Sequence, residues 1–80
     1  MSKPEKTFRL GACTASVFVN KTASEPTRTF RTVTIERRYR DGDEWKNSSS
    51  FGVNDLPNVA ALAQLATQHI ASADSDADGQ

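Results

Sequence analysis

Residues 29–51 read Thr29-Phe-Arg-Thr-Val-Thr-Ile-Glu-Arg-Arg-Tyr-Arg-Asp-Gly-Asp-Glu-Trp45-Lys-Asn-Ser-Ser-Ser-Phe51, a pattern of two strands joined by a tight turn. In Thr29–Arg40, Arg31, Val33, Ile35, Arg37 and Tyr39 share one parity, and Thr32, Thr34, Glu36, Arg38 and Arg40 share the other. Period two is the period of a strand, and the β-branched residues in its middle suit a pleated surface. Asp41-Gly42-Asp43 supplies the turn, with Gly42 free to take positive φ. Glu44–Phe51 then returns as an antiparallel partner, with Trp45, Asn47, Ser49 and Phe51 on one parity.

Upstream, Phe8–Asn20 also alternates. Ala15, Val17 and Val19 fall on one face and Thr14, Ser16 and Phe18 on the other, with Gly11 marking a bend or bulge. Asn20–Thr27, with Pro26, reads as a loop. Downstream of Gly52 the period changes. Asn54 or Asp55 is placed to cap a helix and Pro57 fits its first turn. Leu56, Val59, Ala60, Ala63, Ala66, Thr67 and Ile70 then recur at three- and four-residue steps, widened by Leu62, Leu65 and His69. The spacing predicts an amphipathic helix of about four turns, ending near Ala71. Strands first and one helix last make an α+β domain with the helix on one sheet face. The other face is left to solvent or to a ligand.

The 80 residues suit one domain. Residues 1–7 are polar and contain Pro4, and are expected to form a disordered arm. Residues 72–80 hold nothing more apolar than alanine and are expected to form a disordered acidic tail. The domain proper is then 8–71. Hydrophobic residues make up 36%, below the usual share of about 45–50%, so the core is thin. No apolar run is long enough for a membrane span or a secretory signal. Cys13, the single cysteine, has no internal disulfide partner, so a cytoplasmic, reduced protein is expected.

Charge is polarised along the chain. Residues 1–53 hold ten basic and six acidic side chains, and residues 54–80 hold none and four. Arg28, Arg31, Arg37, Arg38 and Arg40 face only Glu36 within 28–40. Such a segment is either an anion-binding surface, with nucleic acid its commonest partner, or a solvated strand whose arginines pair with carboxylates of the same sheet.

Signals for catalysis are weak. His69, near the expected helix end, reads as a partner of the helix dipole. Cys13 shares the parity of Ala15 and Val17 and reads as a small buried hydrophobe. Asp74-Ser-Asp76-Ala-Asp78-Gly79 imitates the start of a calcium loop, but no distal glutamate follows. No enzyme, cofactor or metal is expected. The sheet carries the remaining signal. Phe18, Tyr39 and Trp45 lie on strands that also carry Lys21, Arg31, Arg37, Arg38, Arg40 and Lys46. Rings that stack on unpaired bases and cations that track phosphates are what single-stranded nucleic acid requires. Phe18, opposite in parity to Ala15 and Val17, is expected on the exposed face. Tyr39 shares the parity of Val33 and Ile35 and reads equally as packing, and Trp45 beside the turn fits either face.

The run Val33-Thr-Ile-Glu-Arg-Arg-Tyr-Arg40, the turn at Asp41-Gly42, the polar strand ending at Phe51 and the helix opened by Asn54-Asp-Leu-Pro57 resemble a known family. The order of elements is similar to the single-stranded-DNA-binding fold of the transcriptional coactivator positive cofactor four and its whirly relatives. Residues 39–51 also resemble a group of small uncharacterised bacterial proteins. The resemblance implies a curved antiparallel sheet of about four strands followed by one C-terminal helix, a homodimer or higher oligomer, and binding of single strands across the open sheet. Tyr39 falls at the family's base-stacking tryptophan, and Glu36 departs from a basic contact. The expected function is therefore non-catalytic single-stranded nucleic-acid binding, DNA before RNA, at Phe18, Lys21, Arg31, Arg37, Arg38, Tyr39, Arg40, Trp45 and Lys46. The alternative is a protein-interaction or assembly module using the same sheet face or edge.

Overall fold

The alternating run that opens at Thr29 forms the long central strand of a four-stranded antiparallel sheet in a computed structural model that describes residues 3–77. In chain order the elements are β1 (Lys6–Leu10), β2 (Cys13–Lys21), β3 (Thr29–Asp41), β4 (Glu44–Ser48), a 3-10 turn (Val53–Asp55) and α1 (Leu56–Ala77). The sheet order is β1-β2-β3-β4, a meander in which each strand pairs with its neighbours in sequence. The α+β reading holds.

Two-residue turns set the register at both ends of the meander. Gly11 (φ 58°) closes β1–β2, where Leu10 pairs with Cys13, and Gly42 (φ 65°) closes β3–β4, where Asp41 pairs with Glu44. Positive φ at the first turn position gives the backbone twist that antiparallel neighbours need, and glycine reaches it without strain. The expected bend at Gly11 is thus a full hairpin that splits Phe8–Asn20 into two strands.

Arg37 anchors the crossover from β4 to α1. Its Nε donates to the Ser50 carbonyl at 3.1 Å and lies 3.5 Å from an Asp55 carboxylate oxygen. The same Asp55 oxygen accepts the Gly52 N–H at 3.0 Å. Gly52 therefore precedes the 3-10 turn, and Asp55, third in that turn and directly before α1, reaches back to it. Once started, the helix meets no glycine or proline between Pro57 and Gly79. It runs to Ala77, past the expected end at Ala71, through alanine-rich sequence with high helix propensity. His69 accordingly lies inside the helix and not in its last turn.

The core is small. Cys13, Ala15 and Val17 of β2 and Leu62 of α1 are fully buried, and Ala66 is nearly so. Phe8, Leu10, Ile35, Phe51 and Val59 pack around them. The alanines at positions 15 and 66 let helix and sheet approach closely. On the helix, the stripe that meets the sheet runs through Leu62 and Ala66, while Leu56 stays 52% exposed.

Strand pairing also begins earlier than expected. β1 starts at Lys6, and the Glu5 N–H donates to the Val17 carbonyl at 2.6 Å. The Glu5 carboxylate accepts from Arg31 Nε (2.9 Å) and Nη2 (3.0 Å) and contacts His69 Nε2 (2.7 Å). One residue thereby ties together β3, α1 and the start of β1. The remaining parts of the expected arm and tail, 1–2 and 78–80, lie outside the described residues.

Arg31, then His69, hold the Glu5 carboxyl at about 2, below its ordinary 4.5. A carboxylate with a lowered folded-state pKa stabilises the fold above its unfolded value and loses that contribution as pH falls through the folded one. Thermal melting followed from pH 6 downward should therefore show wild type more stable than Glu5→Gln above about pH 4.5. The gap should close as pH approaches about 2. A gap independent of pH would contradict the clamp.

Candidate nucleic-acid interface

Alternate residues of a strand face opposite sides of a sheet. The buried positions Cys13, Ala15 and Val17 fix the helix side, and the strand register carries that assignment across the sheet. The opposite, open side presents Thr7 and Arg9 of β1, and Thr14, Ser16, Phe18 and Asn20 of β2. β3 adds Phe30, Thr32, Thr34, Glu36, Arg38 and Arg40, and β4 adds Trp45 and Asn47.

The nine residues singled out from sequence divide between the two sides. Phe18, Arg38, Arg40 and Trp45 share the open face. Lys21, Arg31, Arg37, Tyr39 and Lys46 lie on the helix side. Three of these five have partners there that explain their charge. Arg31 holds Glu5, Arg37 holds the crossover, and Lys46 Nζ bonds the Asp41 carboxylate at 3.0 Å. Tyr39 is half-buried, with the Arg37 guanidinium 5.4 Å from its ring centroid.

Trp45 is the focus of the open face. It pairs across the turn with Arg40 and is 58% exposed. The Arg38 guanidinium lies 4.7 Å from its ring centroid and that of Arg40 lies 6.0 Å away. Two cations at these distances interact with the ring quadrupole and hold the indole over the sheet. Arg40 is further fixed by its Nε, which donates to the Gly42 carbonyl at 3.0 Å. No carboxylate lies within ion-pair distance of Arg9 or Arg38 among the described residues.

Arg9, Thr14, Glu36, Arg38, Trp45 and Asn47 line an open depression of about 370 Å³. Small-molecule pockets start at about 300 Å³, so the space suits one nucleotide-sized group. Along β3 the face continues from this depression over the hydroxyls of Ser16, Thr32 and Thr34. It ends at Phe18 and Phe30, the latter 47% exposed. Eight residues of β3 separate the position opposite Trp45 (Arg40) from the position opposite Phe18 (Thr32). At about 3.3 Å per residue the two aromatic ends lie roughly 26 Å apart.

Arg9 and Phe30 join this face without having been singled out from sequence. Arg9 becomes visible only once Gly11-Ala12 is read as a hairpin turn, which sets Arg9 opposite Thr14. Phe30 shares the parity of Thr32 and Thr34, and that parity was the available signal. Among the described residues no group of three or more His, Cys, Asp and Glu side chains could hold a metal ion. Among the described residues, no helix is long and apolar enough to cross a membrane. Compared with family models, with curated proteins and with solved structures, the chain matches none; what stands is a four-stranded antiparallel sheet followed by one C-terminal helix.

Proposed function

We propose that this chain binds single-stranded nucleic acid, DNA in the first instance, on the open face of its sheet, without catalysing a reaction. One observation carries the reading. An exposed tryptophan is held over a sheet face by Arg38 and Arg40, and Arg38 and Arg9, which line the same depression, have no carboxylate within ion-pair distance among the described residues. Trp45 offers a stacking surface, Arg9, Arg38 and Arg40 offer phosphate contacts, and the threonine and serine hydroxyls between the aromatic ends add donors of little bulk.

A second copy of the chain belongs to the same proposal. The accessible surface is 6005 Å², against about 4,700 Å² for a compact monomer of this mass. Val19 and Val33, diagonal neighbours on the helix side of β2 and β3, are 36% and 37% exposed. A partner covering them enlarges a thin core and leaves the open face to ligand.

Salt titration tests the binding mode. Single-strand affinity falls with a log–log slope of about −0.7 per neutralised phosphate, so three arginines predict a slope of about −2 per chain. A labelled oligothymidine tract followed by fluorescence anisotropy supplies the slope. A slope near zero would contradict phosphate contact, and binding equal to that of a duplex would contradict base stacking.

A further inference from the structure

Glu36 lies at the centre of the open face. It pairs with Thr14, which pairs on its other side with Arg9, so the three form one row across β3, β2 and β1. With Arg38, Trp45 and Asn47 they line the depression. No ion pair engages the Glu36 carboxylate among the described residues. A carboxylate in the path of phosphates is a cost to a polyanion site. It ceases to be one when the nucleotide in the depression turns its base, and not its phosphate, toward Glu36, while flanking phosphates meet the arginines around it. A base stacked on Trp45 does this.

The edge such a base would present can be read from the lining. Ionised glutamate is acceptor-only with two oxygens, and arginine is donor-only. Glu36 beside Arg38 and Arg9 therefore offers a pair of acceptors next to a set of donors. The Watson–Crick edge of guanine carries the complement, two adjacent donors (N1–H and the N2 amine) beside the O6 acceptor. Adenine and cytosine present one exocyclic amine next to a ring acceptor. Thymine and uracil present one N–H between two carbonyls that a carboxylate repels. We propose that the Glu36–Arg38–Trp45 depression is a guanine-selective subsite, with Trp45 stacking on the ring, Glu36 accepting from N1–H and N2, and Arg38 or Arg9 donating to O6. This inference rests on the nucleic-acid reading above and adds base selectivity to it.

The test compares short oligothymidine tracts that are unsubstituted or carry one central dG, dA or dC. Each is titrated against wild type and Glu36→Gln, with melting temperatures recorded for both proteins. Wild type should bind the dG tract about fivefold or more tightly than the plain tract, the lower end of discrimination by one bidentate contact. Glu36→Gln should bring that ratio to about one and at the same time strengthen binding of the plain tract by removing a negative charge. Equal binding of all four tracts by wild type would overturn the subsite and leave the nucleic-acid reading standing. A dG preference that survives Glu36→Gln would also overturn it, as would a uniform loss of binding with a lowered melting temperature. Failure of every tract to bind at low salt would overturn both readings.

Discussion

Trp45→Ala lowers affinity for a single-stranded oligonucleotide by about tenfold, with little change in thermal stability. The magnitude follows from stacking, which is worth roughly 1–3 kcal/mol per base by alanine substitution. The small stability effect follows from exposure. Trp45 is 58% exposed, and its close contacts are the guanidiniums of Arg38 and Arg40 rather than the core. Tyr39→Ala is the matched control. Tyr39 lies one residue from Arg38 and Arg40 but on the helix side, under Arg37. Its removal should leave oligonucleotide affinity unchanged within about twofold, since it contributes no stacking surface on the open face. If Tyr39→Ala abolished binding and Trp45→Ala did not, the ligand would lie on the helix side and the open-face assignment would fail.

Leu62→Ala should produce the largest loss of stability of any single truncation in the chain. Leu62 is fully buried and is the largest side chain to be so. It joins α1 to Cys13 and Ala15 of β2. Leucine-to-alanine changes in cores cost about 2–5 kcal/mol, and the site is flanked by small residues that cannot refill the space. Small domains have total stabilities of about 5–15 kcal/mol, and with so few buried side chains this one should lie toward the lower end. Urea unfolding monitored by circular dichroism should show the midpoint collapse for Leu62→Ala. It should show a modest shift for Leu65→Ala, whose side chain is 36% exposed one turn along the same helix. Equal effects of the two would mean that the helix does not dock on the sheet through the Leu62 stripe.

These two substitutions separate what was legible in the sequence from what was not. The β3–β4 hairpin was legible because its signals are local, with alternation through Val33 and Ile35 and a glycine where φ is positive. The helix was legible from its three- and four-residue spacing, but its end was not, because that spacing stops near Ala71 while the helix continues to Ala77. Its buried stripe was less so, because alanines at positions 60, 63 and 66 look alike in sequence and only docking selects Ala66. Face assignment depended on pairing. Parity alone grouped Tyr39 with Val33 and Ile35, and the register confirmed that grouping. Trp45 beside the turn could be placed only once Arg40 was seen opposite it.

The arginines show the same limit more sharply. Composition treats Arg31, Arg37 and Arg38 alike. Arg31 meets Glu5, 26 residues earlier, and Arg37 meets Ser50, 13 residues later. Both pairings are long-range, and no local pattern announces them. Two of the cations expected to contact phosphate therefore hold the fold together, while Arg9, on a short strand that reads weakly in sequence, takes a place on the open face. Glu36 likewise meets Thr14 and Arg9 in one row only through the strand register.

The measurement that tests the central claim most directly uses the chain's single tryptophan as its own probe. Intrinsic fluorescence of Trp45 is followed during titration with a single-stranded oligonucleotide at low and at moderate salt, with a duplex of the same sequence as control. A base stacked on the indole predicts saturable quenching by the single strand, weakened by salt and much smaller with the duplex. Emission that stays unchanged while anisotropy reports binding would place the nucleic acid elsewhere on the molecule and contradict the open-face account.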